Sequence, residues 1–114
     1  MNALSEITQI LKDLSIPAET GVFSSKAPDT YAVLVPLNDS FPLSADDWPQ
    51  ADEQSVRVSL FTRGNYTKQK NSITRSLLSA GFTVTDRRYN GFEAGSGYHQ
   101  LTIDVAKAYE FEEE

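Results

Sequence analysis

Residues 55–84, SVRVSLFTRGNYTKQKNSITRSLLSAGFTV, decide the fold. Val56, Val58 and Leu60 alternate with Arg57, Ser59 and Phe61, the period-two pattern of a strand that turns one face to a core. From Tyr66 the period changes. Ile73, Leu77 and Ala80 recur at helical spacing with Leu78 beside them, and Gly81 stands where a left-handed C-terminal cap belongs. Phe82 and Val84 then resume alternation, so the unit reads as strand, tight loop, amphipathic helix and strand. It contains no catalytic motif.

Working outward, Asn2 can cap a first helix in which Leu4, Ile7, Ile10, Leu11 and Leu14 form one apolar stripe, ended by Pro17. Residues 21–25 read as a short strand, Ala27-Pro28-Asp29 as a turn, and residues 30–37 as a strongly apolar second strand, the pair forming a hairpin. Pro36 cannot donate to a ladder, which places it at a sheet edge or a bulge. Residues 38–54 mix turn formers and acids with isolated anchors at Phe41, Leu43 and Trp48, the composition of a long hairpin connection or arm. On the other side, residues 83–89 continue a strand, and Asn90-Gly91 with Gly95 and Gly97 mark a turn. Leu101, Ile103 and Val105 then alternate in a final strand, before an acidic tail at 110–114. The expected fold is a single α+β domain: one mixed or mainly antiparallel sheet, with two helices on one face.

At 114 residues the chain can bury roughly two-thirds of the surface its unfolded form exposes. With 39% hydrophobic and 23% charged residues it lies in the globular range, which excludes wholesale disorder. The absence of cysteine removes disulfides, thiolate metal sites and thiol nucleophiles. The start, MNALSEITQILKDL, lacks the basic region and apolar run of a secretory signal, and no stretch approaches the ~20 apolar residues of a membrane span. A cytoplasmic protein with no membrane partner is expected.

Charge is distributed in blocks. Residues 1–53 are net −7, residues 54–88 carry seven basic groups against Asp86 alone, net +6, and the remainder is net −5. A solvated surface would account for this, as would an interface. The overall −6 argues against a protein whose main task is to coat nucleic acid. Tyr66, Lys68, Lys70, Arg75, Arg87, Arg88 and Tyr89 nonetheless interleave rings and cations as single-strand binders do. A protomer with one basic and one acidic face also suits head-to-tail pairing with its own copies.

Site chemistry is sparse. His99 would share a strand face with Leu101 and Ile103, the position of a hydrogen-bonded packing histidine rather than a base. Asp39, Asp46 and Asp47 do not have the spacing of a calcium loop, and the glycines of GFEAGSG precede a strand, not the helix a phosphate cradle needs. No enzyme activity, metal or cofactor is expected.

Several segments in order resemble a family of small proteins encoded among the head and tail genes of tailed phages and prophages of low-GC Gram-positive bacteria. The resemblance is carried by Ile16-Pro17, Glu19-Thr20-Gly21-Val22-Phe23, Ala27-Pro28-Asp29-Thr30-Tyr31, Val35-Pro36-Leu37, Ala45-Asp46-Asp47, Gly64-Asn65-Tyr66, Gly81-Phe82, Arg87-Arg88-Tyr89, Gly97-Tyr98-His99 and Ile103-Asp104-Val105-Ala106-Lys107. It spans most of the chain. The element order is similar to that of tail terminator and head-to-tail joining proteins. The resemblance implies a structural virion protein that forms a homo-oligomeric, hexameric ring at the end of the tail tube. Tail tube and head connector proteins would be its partners, and DNA would pass through the ring. A prophage-encoded protein- or nucleic-acid-binding adaptor is the alternative. On the ring reading, Arg57, Arg63, Lys68, Lys70, Arg87 and Arg88 would face a neighbour's Asp46 and Asp47 or the channel, with Trp48 as a packing or interface anchor.

Overall fold

A computed structural model of the chain describes residues 2–21, 28–40, 44–45, 48–49 and 51–110. The first helix, α1 (Ala3–Asp13), begins in a reciprocal box: Asn2 Oδ1 accepts the Ser5 N–H at 2.9 Å, and Ser5 Oγ faces the Asn2 N–H at 3.4 Å. Its stripe buries Ala3, Ile7 and Leu11. The helix stops before Pro17. Ser15 adopts φ 63, the Ile16 N–H donates to Leu11 O and the Ser15 N–H to Lys12 O, both at 2.9 Å. That paired closure, with buried Ile16 packed behind it, is a Schellman motif built without glycine.

A short strand β1 (Ala18–Thr20) follows and runs parallel to β2 (Thr30–Ser40), with Ala18 opposite Ala32 and Thr20 opposite Leu34. The strand expected at 21–25 lies, beyond Gly21, outside the described residues. The observed neighbour of β2 sits just before it and is parallel, where a hairpin would be antiparallel. The β2 strand pairs antiparallel with β5 (Ala51–Thr62), and the register shifts between Pro36 and Asn38, so of the two expected settings for this proline, edge or bulge, a bulge is present. Both strands reach further than expected. Ser40 pairs with Glu53, so the connection shrinks to residues 41–50, within which β3 (Ser44–Ala45) and β4 (Trp48–Pro49) form a two-residue ladder.

The second helix, α2 (Tyr66–Ser79), is capped by Asn65, whose Oδ1 accepts the Lys68 N–H at 3.1 Å. It ends on Gly81 at φ 92 in a second Schellman motif, with the Phe82 N–H on Leu77 O at 3.0 Å. Strand β6 (Thr83–Glu93) then pairs antiparallel with β7 (Tyr98–Glu110). Asn90-Gly91 lies inside β6 at a bulge; the turn itself is later, closed by the Gly97 N–H on Glu93 O at 2.7 Å.

The five strands lie in the order β1-β2-β5-β7-β6, a mixed sheet in an α+β fold. One helix covers β1 and β5, the other β6 and β7, both on the same face. Val58, Leu60, Leu101, Ile103 and Leu34 meet Ile7, Leu11, Ile73 and Leu77 there, all fully buried. No layer among the described residues covers the opposite face.

Candidate assembly surface

Alternation sorts the basic block onto both sides of the sheet. On β5, Val56, Val58 and Leu60 go under the helices, which leaves Arg57, Ser59 and Phe61 on the open face. The β6 bulge between Val84 and Asp86 resets its phase: Asp86 pairs with Asp104 and Arg88 with Thr102 on the open face, whereas Arg87 pairs with Ile103 and Tyr89 with Leu101 on the helix face.

On the open face, Arg57 donates two hydrogen bonds to Asp104, at 2.8 and 3.0 Å. Those bonds and the Asp104 charge hold the Arg57 guanidinium above its already high value. Arg88 lies 3.3 Å from Asp86. Arg63, at the strand end, meets Asp29 at 2.8 Å, donates to Ser96 O and covers the Tyr98 ring at 4.3 Å. Tyr31 and Phe61 stack at 4.8 Å with Tyr98 edge-on, and beside them a recess of about 440 Å³ reaches Gln100 and Glu93. Burial, with Tyr98 and Glu93 nearby, pushes the Tyr31 phenol up.

On the helix side, Arg87 leans on α2, with Asn71 Oδ1 at 3.5 Å and Thr74 Oγ1 at 3.4 Å. This helix also carries Lys68, Lys70 and Arg75 and has no acidic residue. His99 occupies the expected face, its Nδ1 at 3.0 Å from the Tyr89 hydroxyl and its ring 4.6 Å from Tyr66 and 4.8 Å from Phe92.

The cations therefore do not form the single basic face expected from sequence. Arg57 and Arg88 are on the open face, Arg63 at its end, and Lys68, Lys70 and Arg87 on the helix side. Three of the six are already paired with carboxylates. Two of those partners, Asp104 and Asp29, are 47 and 34 residues away from their arginines, which is why a linear charge count misses them. Asp46 and Asp47 lie outside the described residues; Trp48 is in β4, its backbone opposite Ala45. Among the described residues no cluster of His, Asp and Glu could hold a metal, and no helix is long and apolar enough to cross a membrane.

Exposed apolar side chains give the signal that charge counting did not. Leu78 (55% exposed), Tyr89 (47%) and Phe92 (55%) lie on α2 and the edge strand β6; Val35 (37%) and Leu37 (43%) lie on β2 past the point where β1 stops covering it. In the sequence the second pair is foreshadowed by residues 30–37 being apolar on both faces, and Leu78 by its place beside the stripe of its helix. No protein-family model matches the chain, and no curated protein matches it in sequence.

Proposed function

We propose that the protein is a structural subunit of a tailed phage or prophage that completes the tail, forming a homo-oligomeric ring at the end of the tail tube. One observation carries the self-association: although the basic block is divided between the two faces, part of it gathers at one lateral side of the sheet, away from the first helix and β1. The α2–β6 side has Lys68, Lys70, Arg75 and Arg87, with no acid in α2; the α1–β1–β2 side carries Asp13, Glu19 and Asp39 against Lys12, besides Glu6, which is held by Lys107. A protomer polar across its width attracts copies head to tail, and a repeated rotation closes such contacts into a ring. The station at the tail end rests on the resemblance of the ordered segments. Light scattering at low and high salt tests self-association: a species of several protomers is expected, and a monomer at high concentration under both conditions would count against the ring. Electron microscopy of that species should show closed rings.

The rings of Tyr66, Tyr89, Phe92 and His99 beside Arg87 favour a second reading, a nucleic-acid-binding adaptor. Salt-dependent retention of single-stranded DNA would support it, and no retention at low salt would remove it.

A further inference from the structure

We infer that the two lateral edges of the sheet are the two halves of one head-to-tail interface. The outer edge of β2 around Val35 and Leu37 in one copy seats against the α2–β6 flank around Leu78, Tyr89 and Phe92 in the next. This rests on the self-association proposed above and adds which surface meets which.

Three observations select this occupant. The first is where apolar surface remains: all five exposed large hydrophobic side chains among the described residues lie on these two edges, at opposite sides of the strand order. Single exposed apolar residues are ordinary, but their segregation onto two separate edges is not. The second is charge. Arg87 shares the helix face of β6 with Tyr89, beside an α2 that carries Lys70 and no acid, whereas β1 and β2 carry Glu19 and Asp39 and no cation, so each edge repels its own kind and attracts the other. The third is geometry. Among the described residues, β1 pairs only with residues 32–34 and nothing pairs with β2 on that side from Val35 onward, and β6 has β7 as its one strand neighbour. Both strands carry bulges, at Pro36/Asn38 on β2 and at Val84/Asp86 and Tyr89/Gly91 on β6. Bulges spoil continuous strand addition, so the contact is made by side chains, aromatic and aliphatic anchors within a rim of charge.

A heterologous interface of this kind has a signature that a two-fold interface lacks. An edge variant, Val35→Gln with Leu37→Gln, retains a working flank, and a flank variant, Leu78→Gln with Phe92→Gln, retains a working edge. All four positions are exposed, so both variants should keep the wild-type circular dichroism spectrum and unfold cooperatively. Native mass spectrometry of wild type should show a multimer. Each variant alone should fall to monomer, with its dissociation constant raised at least tenfold. Mixed in equal amounts, the two should give a 1:1 complex and nothing larger.

Wild type that stays monomeric at every concentration overturns both the ring and this interface. A closed ring that persists in both variants keeps the ring and overturns this interface. Variants that are monomeric alone and stay monomeric when mixed overturn the edge-to-flank pairing, because a two-fold contact would behave that way. Open chains of many lengths that both variants abolish keep this interface and overturn ring closure. Binding of a fluorescent single-stranded oligonucleotide by wild type, lost in the flank variant while the multimer persists, assigns the flank to nucleic acid instead.

Discussion

Lys107 ties three elements together through one ammonium. Its Nζ donates to both Glu6 carboxylate oxygens, at 3.0 and 2.9 Å, and to Ala80 O at 2.7 Å, while the Tyr109 hydroxyl donates to Glu6 Oε1 at 2.7 Å. The first helix, the end of the second and the last strand are thereby joined. The Lys107 and Glu6 side chains are only 23% and 19% exposed, so removing the cation strands a largely desolvated carboxylate and an uncapped carbonyl. Lys107→Met should lower stability by about 2 kcal/mol, below the range for fully buried pairs because water still reaches this one. Urea denaturation would read this as a lower midpoint at unchanged slope. Burial pushes the Glu6 carboxyl up, but the hydrogen bonds from Lys107 and Tyr109 and the Lys107 charge outweigh it, so its value lies below the ordinary 4.5. A depressed carboxylate contributes stability that is complete above its unfolded value and is lost as pH falls through the folded one. Stability should therefore drop as pH falls below 4.5, and Glu6→Gln should be less stable at neutral pH but lose less on acidification. Tyr109 behaves oppositely. Burial, then its bond to Glu6 and the Glu6 charge, raise its phenol well above the ordinary 10.0, so its contribution is complete below pH 10 and is lost as pH rises toward the folded value. Tyr109→Phe should flatten that alkaline limb.

Both helices end in the same hydrogen-bond pattern with different residues at the left-handed position, and this sets up a comparison within one molecule. Gly81 holds φ 92 at no steric cost, and a Cβ built there would meet only the Lys107 side chain, Cε at 3.6 Å and Nζ at 3.8 Å, both ordinary contacts. Gly81→Ala should therefore cost about 1 kcal/mol, from the backbone conformation rather than from a clash. Ser15 at φ 63 already bears that strain, so Ser15→Gly should stabilise the protein by about 0.5–1 kcal/mol, less than the full steric term because glycine loses more freedom on folding. Thermal unfolding of the two variants should shift in opposite directions. These elements also show what a sequence can reveal. The second helix was legible because the 3.6 period and Gly81 agree, though its Asn65 cap went unread, and the irregularity at Pro36 because proline has no N–H to give. The stop of the first helix was misplaced: serine at a left-handed position carries no sequence mark, and Pro17 two residues later looked sufficient. Of the turn assigned to Asn90-Gly91 with Gly95 and Gly97, only the latter two glycines lie in it, since glycine at a bulge and glycine in a turn look alike until pairing with β7 is known. The parallel β1 was hidden by its three-residue length. The candidate surface was half legible. A count of charges along the chain finds the block but cannot see that alternation divides it, or that Asp104 and Asp29 neutralise Arg57 and Arg63 from distant elements.

At the scale of the whole molecule, charge and apolar surface should do separable work in association. The cations on the α2–β6 side and the acids of the first 53 residues act over distance, whereas Leu78, Phe92, Val35 and Leu37 act only on contact. Long-range attraction between opposite edges raises the encounter rate, and salt removes it as the screening length shortens from about 30 Å at 0.01 M to about 3 Å at 1 M. Desolvated apolar anchors instead govern how long a complex lasts, which salt of this kind changes little. The edge and flank variants leave every charge in place and pair only once, so mixing them gives a simple bimolecular reaction. Its association rate constant should fall at least tenfold between 0.01 and 1 M sodium chloride, with the dissociation rate constant unchanged within about twofold. Arg87→Gln in the flank-bearing partner should reduce the salt sensitivity of association. Arg57→Gln, whose charge is already held by Asp104 on the open face, should leave it unaltered. Equal effects of the two substitutions would mean that the field of the whole basic block, not its placement on one edge, steers the encounter.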